Sequence, residues 1–313
     1  MTFKSTLSDL YHEETNFQFT TKIWRWGAIS GLLIAISIGS LFVNGLNTSI
    51  EFKGGTSFEL KMSNKKVPSV ADVRDLLATE GLADSKVQIV NNDTVKIVAK
   101  KIGKAEQNIL FKKLSDYSGT KIEEISFSDV GPSWGKQLTS KAVNAMIAFF
   151  ALVALYMIIR FEWSMALASI SAVIHDIIIT VGVYSVFNIM VSPATVVAFL
   201  TILGFSLYDT VVVFDKVRDN QKIWQKLRQT TYSEMVNTSL NQVLMRSINT
   251  SIVAVLPVIS LIFVGTYLLG AVALLDFALA LAIGLATGAY SSIYVATPLI
   301  VVIKRWSKKV DNI

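Results

Sequence analysis

The chain has 313 residues, of which 52% are hydrophobic and only 17% are charged, and its mean hydropathy is +0.52. These values lie outside the usual range of soluble domains and favour an integral membrane protein. The net charge of +6 comes largely from basic residues beside apolar runs, so it indicates membrane orientation and gives little support to nucleic-acid binding. The chain has no cysteine, no HExxH motif and no nucleophile elbow, so we expect neither an enzyme nor a metal site.

Six apolar runs have about the 20-residue length that a helix needs to cross a hydrocarbon core. They cover approximately residues 27–46, 142–159, 163–187, 189–214, 248–268 and 271–303. A mostly polar segment, residues 1–26, precedes the first run and no clear cleavage site follows it. We therefore interpret residues 27–46 as an uncleaved first transmembrane helix rather than a signal peptide.

Lysine and arginine predict how these spans are oriented. They occur before span one, between spans two and three, between spans four and five, and after span six, whereas the other two short connections carry no charge. Basic residues in short flanks stay on the cytoplasmic side. We expect both termini, residues 1–26 and 304–313, to be cytoplasmic.

Residues 47–140 form a predicted domain on the outer side of the membrane. The segment TSFELKM alternates like a strand, two helical patterns end at Gly81 and Gly119, and KVQIV and TVKIVA flank a short turn. With KIEEISFSDVG as the last strand, the order is β-α-β-β-α-β, which is typical of a ferredoxin-like α+β fold. Its acidic residues are dispersed, so we expect a binding or coupling surface.

Residues 141–303 are predicted to contain transmembrane helices two to six, with a cytoplasmic segment at 215–247. This segment has the pattern of an amphipathic helix, with Ile223, Trp224, Leu227 and Met235 available for apolar contact. We expect it to lie against membrane lipid or a partner protein.

Ionisable residues inside the spans are the candidates for function, because a carboxylate at mid-membrane costs about 2.5–3.5 kcal/mol on insertion scales. Span three carries His175 and Asp176, span four carries Asp209, span six carries Asp276, and Arg246 stands at the start of span five. Counting residues along the helices places Asp276 near the outer edge, Asp176 deep in the membrane and Asp209 above the inner boundary. Together they predict a ladder of acids across the membrane.

A guanidinium beside a carboxylate changes the affinity of that carboxylate for protons. Movement of Arg246 relative to Asp209 would therefore switch proton binding, as coupling to a gradient requires. Structural alternatives remain open: Arg246 can extend to the interface, Asp276 can be solvated at the outer edge, and His175 can be a packing residue.

Several segments resemble the SecF family of the RND superfamily. They are IEFKGGTSFEL, HDIIITVG, GFSLYDTVVVFDKVRDN, NTSLNQVLMRSINTS and GLATGAYSSIYVATPL. The resemblance implies a six-helix half that pairs with SecD in the bacterial cytoplasmic membrane, associates with SecYEG and uses the proton-motive force to export unfolded proteins. It also implies that Asp209 and Arg246 match the transport acid and arginine of the family. Tyr208 stands where the family usually has asparagine, so the coupling ion, proton or sodium, stays open.

Three functions remain compatible with these features. The first is an ion-driven export subunit, with Asp209, Arg246 and Asp176 in the ion path and His175 and Asp276 as accessory groups. The second is half of an RND-type exporter of small molecules or lipids, although the outer domain is small for that role. The third is a non-transporting scaffold whose buried charges hold a partner. None of the three requires a cofactor other than an ion gradient.

Overall fold

The computed structural model describes residues 15–21, 23–63, 67–90, 93–227, 229–265 and 272–307. The described helices include six that are long and apolar enough to cross a membrane, and a small α+β domain lies between the first and second of them. In chain order the elements are α1 (Ile23–Asn44), β1 (Asn47–Thr48), α2 (Ile50–Lys53), β2 (Gly55–Lys61), α3 (Val70–Ala78), β3 (Lys86–Val90), β4 (Thr94–Ala99), α4 (Lys104–Ser118), β5 (Ser126–Val130), α5 (Pro132–Arg160), α6 (Trp163–Val186), β6 (Met190–Val191), α7 (Pro193–Leu227), α8 (Tyr232–Phe263), α9 (Val272–Ser291), a π-helical segment (Ser292–Ala296) and α10 (Thr297–Trp306).

The outer domain has the predicted ferredoxin-like topology. Its four-stranded antiparallel sheet has the order β3-β4-β2-β5, and α3 and α4 cover one face. Alternate residues of the central strands, Phe58, Leu60, Val95 and Ile97, form the core with both helices, as the period of two along a strand requires. The opposite face is mostly polar, and its residues Ser57, Glu59 and Lys96 line a cleft shared with Asp276 of α9.

Two consecutive glycines join α2 to β2, and each has a positive φ: +76° at Gly54 and +139° at Gly55. A Cβ atom at Gly54 would lie 2.8 Å from Pro132 Cα, and one at Gly55 would lie 2.6 Å from the backbone oxygen of Ala99. Only glycine accommodates both the backbone angles and the close approach. The pair therefore fixes the outer domain directly against the beginning of α5.

The second span is longer than its apolar run. Because Pro132 favours the first turn of a helix, α5 begins there and continues without a break to Arg160, whereas the sequence predicted an outer domain that extended to residue 140. The end of α1 is fastened to the α6–α7 connection by a parallel pair of two-residue strands, β1 and β6. Strands this short have no periodicity in the sequence, and this pairing was not predicted.

The segment 215–247, predicted to be cytoplasmic, differs from the single amphipathic helix expected there. Instead, α7 continues to Leu227 and α8 begins at Tyr232, so the two spans extend into a helical hairpin. Thr231 caps α8: its Oγ1 accepts a hydrogen bond from the Glu234 amide, and its own amide donates to the Glu234 side chain. This capping box starts a new helix and so divides the pattern that had suggested one element.

Candidate functional site

Two carboxylates are buried where α6, α7 and α9 meet. Asp176 of α6 is 1% exposed and Asp209 of α7 is 2% exposed. The helices approach closely here because Gly288 of α9 faces Ser206 of α7, where a Cβ atom would lie only 2.9 Å from the serine Cβ. This approach lets hydroxyl groups on α9 and on the π-helical segment reach both acids.

Asp176 has three hydrogen-bond partners. Its Oδ2 accepts hydrogen bonds from Ser206 Oγ and from Ser291 Oγ, the latter at 2.7 Å, and its Oδ1 lies 3.0 Å from His175 Nδ1. One proton between His175 and Asp176 satisfies their contact, on either the imidazole or the carboxyl. Both oxygens of Asp176 are thus engaged in a fixed network.

Asp209 is held more loosely than Asp176. Its Oδ2 accepts a hydrogen bond from Ser292 Oγ. No ion pair to Asp209 occurs among the described residues. Because a carboxylate can accept about four hydrogen bonds, Asp209 retains capacity for a proton, a cation or a guanidinium.

The π-helical segment begins at Ser292, the residue that contacts Asp209. The adjacent residue, Ser291, contacts Asp176, so two consecutive serines serve two acids on two different helices. Thr297 Oγ1 donates to the Ser292 backbone oxygen at 2.8 Å and satisfies a carbonyl within the widened turn. Short π-helical turns inside α-helices are frequent at functional sites. Here the turn begins where Ser291 and Ser292 reach Asp176 and Asp209.

His175 is buried at 4% exposure, and its Nε2 has no hydrogen-bond partner within the described part of the chain. Its ring stacks on Tyr290, with centroids 6.1 Å apart. The Tyr290 hydroxyl lies 3.1 Å from Ser30 Oγ of α1. His175 therefore connects Asp176 to an aromatic layer between α1 and α9.

Arg246 lies on α8 with an exposed side chain, and in the part of the chain that the structure describes it makes no ion pair. The contact with Asp209 that the sequence suggested is therefore not formed in this structure. The next residue, Ser247, is buried, and its hydroxyl has no partner among the described residues. An exposed arginine on a membrane helix is costly unless another group meets it.

Asp276 is separate from this network. It lies near the outer end of α9, half-buried, in a cleft of about 320 Å³ beneath the polar face of the outer sheet. Glu59 of β2 and Lys96 of β4 line the same cleft, and Tyr184 donates a hydrogen bond to the Asp276 backbone oxygen at 2.7 Å. Asp276 is thus the acid that the outer domain overlies.

Another basic residue links the outer domain to the membrane part. Lys86 Nζ of β3 donates to Asn47 Oδ1 at 2.6 Å, and Asn47 donates to the Asn188 backbone oxygen at 3.2 Å. Burial, with the nearby charge of Lys53, lowers the pKa of Lys86 from its usual value. This contact joins β3 to β1 and to the α6–α7 connection.

The serines around the acids were not singled out as site residues from the sequence. These serines are Ser206, Ser291 and Ser292. The available signal was the pair of hydroxyl residues in GAYSSIYVA, inside an otherwise apolar span. Among the described residues, no three His, Cys, Asp or Glu side chains are grouped so that they could hold a metal ion.

Two family models match the chain. "Protein export membrane protein SecD/SecF, C-terminal" matches residues 110–306, and "SecD/SecF GG Motif" matches residues 39–66. The first covers α5 to α10 and both buried acids. The second covers Gly54 and Gly55, the two glycines with positive φ at the start of β2.

Curated relatives agree with these models. The protein translocase subunit SecF of Streptomyces coelicolor is 41% identical over 295 residues, which cover 94% of this chain and 79% of the relative. SecF of Mycobacterium tuberculosis is 39% identical over 317 residues, covering 98% of this chain and 72% of the relative. SecDF of Thermus thermophilus is 37% identical, but the alignment covers only 37% of that longer protein.

Solved structures show the same fold. The crystal structure of SecDF from Thermus thermophilus, described as a translocon-associated membrane protein, aligns with a TM-score of 0.85 at 34% identity, covering 94% of this chain and 39% of that chain. SecDF in a super-membrane-facing form aligns over the same shares with a TM-score of 0.68. The chain is a multi-pass membrane protein and belongs to the SecF family of protein translocase subunits.

Proposed function

We propose that the chain works with SecD in the bacterial cytoplasmic membrane and uses the proton-motive force to drive or complete protein translocation. The observation that carries this proposal is the unequal environment of the two buried acids. Asp176 has three partners, whereas the contact found for Asp209 is the hydrogen bond from Ser292. Asp209 is therefore the acid with room to exchange a proton.

The proposed cycle has two states of Asp209. When Asp209 is ionised, its charge needs compensation beyond one hydroxyl, and Arg246 on the neighbouring α8 is the available cation. When Asp209 takes up a proton, it no longer attracts a guanidinium, and Arg246 is free to stay exposed without an ion pair, as it is among the described residues of this structure. Each protonation thus changes the preferred position of α8 relative to α7.

Protons reach Asp209 from the outer side by way of the other acids. Asp276 opens to the cleft under the outer domain, and Asp176 with His175 lies deeper. Ser206 and Asp209 are one turn apart on α7, and Ser291 and Ser292 are adjacent, so hydroxyl groups connect the two buried acids. Sodium is the competing ion. If export depends on a sodium gradient instead of a proton gradient, sodium takes the place of the proton in this scheme.

SecD is the proposed partner of the six-helix unit. The aligned part makes up 39% of the solved SecDF chain, so SecD supplies the remaining part in this proposal. The exposed position of Arg246 on α8 supports a partner surface there, because an unpaired guanidinium would otherwise face lipid. The complex associates with SecYEG, both termini are cytoplasmic, and the substrates are unfolded exported proteins.

Motion of the fold is supported by the two solved relatives. They match this chain at 34% and 33% identity, yet their TM-scores are 0.85 and 0.68. Nearly equal sequence similarity with unequal structural similarity supports the proposal that this architecture adopts more than one arrangement. We propose that the proton cycle drives such a change and that the outer domain passes it to the exported chain.

The proposal is tested in inverted membrane vesicles that contain the chain co-expressed with SecD. We expect Asp209→Asn to leave the complex intact and to abolish the part of export that depends on an imposed proton gradient. Asp219→Asn is the matched control, because Asp219 lies on the same helix but is exposed and pairs with Lys222 at 2.9 Å. If Asp209→Asn instead releases SecD, the scaffold function is favoured.

A further inference from the structure

A short N-terminal segment, Phe17–Thr20, is bound across the inner end of α8, and we call it the strap. The side chain of Asn241 accepts a hydrogen bond from the Phe17 amide at 2.9 Å, and that of Asn237 accepts one from the Phe19 amide at 2.8 Å. Both asparagine side chains also donate to the Phe17 backbone oxygen, at 2.9 and 3.0 Å. The strap is therefore held through its backbone by two residues one turn apart on α8.

These contacts are buried at Phe19 and at the two asparagines, whereas Phe17 is 42% exposed. Phe19 is 5% exposed, Asn237 6% and Asn241 4%. A buried amide that loses its partner cannot exchange it for water without local opening. The strap and the inner end of α8 consequently form one unit.

The strap also contacts the other side of the site through aromatic rings. The Phe19 ring lies 5.6 Å from the Tyr294 ring in the π-helical segment, and Tyr294 stacks on Tyr290 at 5.3 Å. Tyr290 stacks on His175, which contacts Asp176. A continuous series of contacts thus leads from the strap to a buried acid.

The strap binds α8, the helix that carries Arg246. We propose that the strap is a positioning element that holds α8 in register with the π-helical segment. A shift of α8 is passed through Phe19, Tyr294 and Tyr290 to the His175–Asp176 pair. Asn237, Asn241 and Phe19 are positioning residues in this scheme, because they act on Arg246 and Asp176 without contacting either. The inference rests on the proposed function.

The absence of cysteine from the chain permits a direct test. Thr20 Oγ1 lies 3.2 Å from the Ser233 backbone oxygen of α8, so Thr20→Cys with Ser233→Cys places one thiol on the strap and one on the helix beneath it. A short thiol-specific, reducible cross-linker, applied to inverted vesicles, joins the strap covalently to α8, and a reductant breaks this link. Each single-cysteine variant, treated in the same way, is the control for effects of the cross-linker that do not come from joining the two positions.

The experiment combines this cross-link with loss of the asparagine side chains. We expect Asn237→Ala with Asn241→Ala to assemble with SecD but to need a larger imposed gradient for half-maximal export, by at least fivefold. Cross-linking positions 20 and 233 in that background should restore the gradient dependence. Phe19→Leu, which keeps the backbone hydrogen bonds and an apolar side chain, should give an intermediate shift.

Three results would overturn the positioning role. Unchanged gradient dependence in the asparagine variant would show that the strap does not act on the site. A cross-link that abolishes export in the otherwise unaltered chain would show that the strap must detach. If the asparagine variant fails to assemble, unchanged gradient dependence in Phe19→Leu decides against the proposal.

Normal export by Asp209→Asn, measured in parallel, would refute the proposed function instead. The cross-linking yield would still report whether the strap is bound.

Discussion

Ser292 Oγ donates a hydrogen bond to Asp209 Oδ2 from the first residue of a π-helical segment. The preceding residue, Ser291, donates to Asp176 at 2.7 Å. The junction between α9 and the π-helical segment therefore supplies hydroxyl groups to both buried acids. A change at that junction would alter both environments together.

Ser292→Ala should impair export more than an ordinary serine substitution does. It removes the hydrogen bond found at Asp209, and a hydrogen bond to a charged group contributes about 1.5–3 kcal/mol. We expect the gradient-dependent export rate to fall by about tenfold or more, measured in inverted vesicles. Ser171→Ala is the control, because the exposed Ser171 hydroxyl donates to the backbone oxygen of Leu167 on its own helix. Equal rates for both variants would contradict a role for Ser292.

Asp176→Asn should destabilise the chain more than Asp209→Asn. The asparagine amide would place a donor where Asp176 now receives hydrogen bonds from two serines and contacts His175. Leaving buried donors without acceptors costs about 1–3 kcal/mol each. We expect a lower melting temperature for purified Asp176→Asn, measured in detergent, and a smaller change for Asp209→Asn. The reverse order would show that Asp209 is the better-satisfied acid.

Gly288→Val should separate α7 from α9. Even one added carbon would lie 2.9 Å from Ser206 Cβ, and forcing extra volume into a packed core costs about 1–3 kcal/mol. We expect lower thermal stability of the isolated chain in detergent together with loss of gradient-dependent export. At Gly204, on the other helix of this pair, an added Cβ atom meets nothing within 4 Å. Gly204→Ala should retain the melting temperature of the unaltered chain, and a matching decrease would argue against the close contact at Gly288.

Asp276→Asn should weaken ion conduction without affecting assembly. Asp276 lies in the cleft beneath the outer sheet, with Lys96 and Glu59 on its walls, and removing its charge takes away the outermost acid of the path. Proton flux in reconstituted liposomes measures this effect. Unchanged flux would confine the path to Asp176 and Asp209.

The sequence predicted the spans and the outer domain because both depend on local pattern. Apolar length identifies a membrane helix, and a period of two followed by a helical period identifies the strands and helices of the ferredoxin-like domain. The β1–β6 pair and the hairpin between α7 and α8 were not predicted. Two-residue strands carry no period, and the Thr231 capping box interrupts an otherwise continuous helical pattern.

The candidate site was only partly predictable for a related reason. Buried acids are conspicuous in apolar spans. Asp176, Asp209 and Asp276 could therefore be selected from the free-energy cost of placing a carboxylate inside the membrane. Serines occur in many membrane helices as packing residues, and nothing local distinguishes Ser291 and Ser292 from them. Their role depends on which helix lies opposite, which only the fold determines. The exposed side chain of Arg246 depends in the same way on the arrangement of α8.

The most direct measurement is proton flux through the purified complex with SecD, reconstituted in liposomes that contain a pH-sensitive dye. An imposed pH gradient should give flux with the unaltered chain and with Asp219→Asn, and no flux above protein-free liposomes with Asp209→Asn. Recovery of the intact complex from the same liposomes establishes that assembly is unaffected. Undiminished flux through an intact Asp209→Asn complex would contradict the assignment of Asp209 as the proton-exchanging acid.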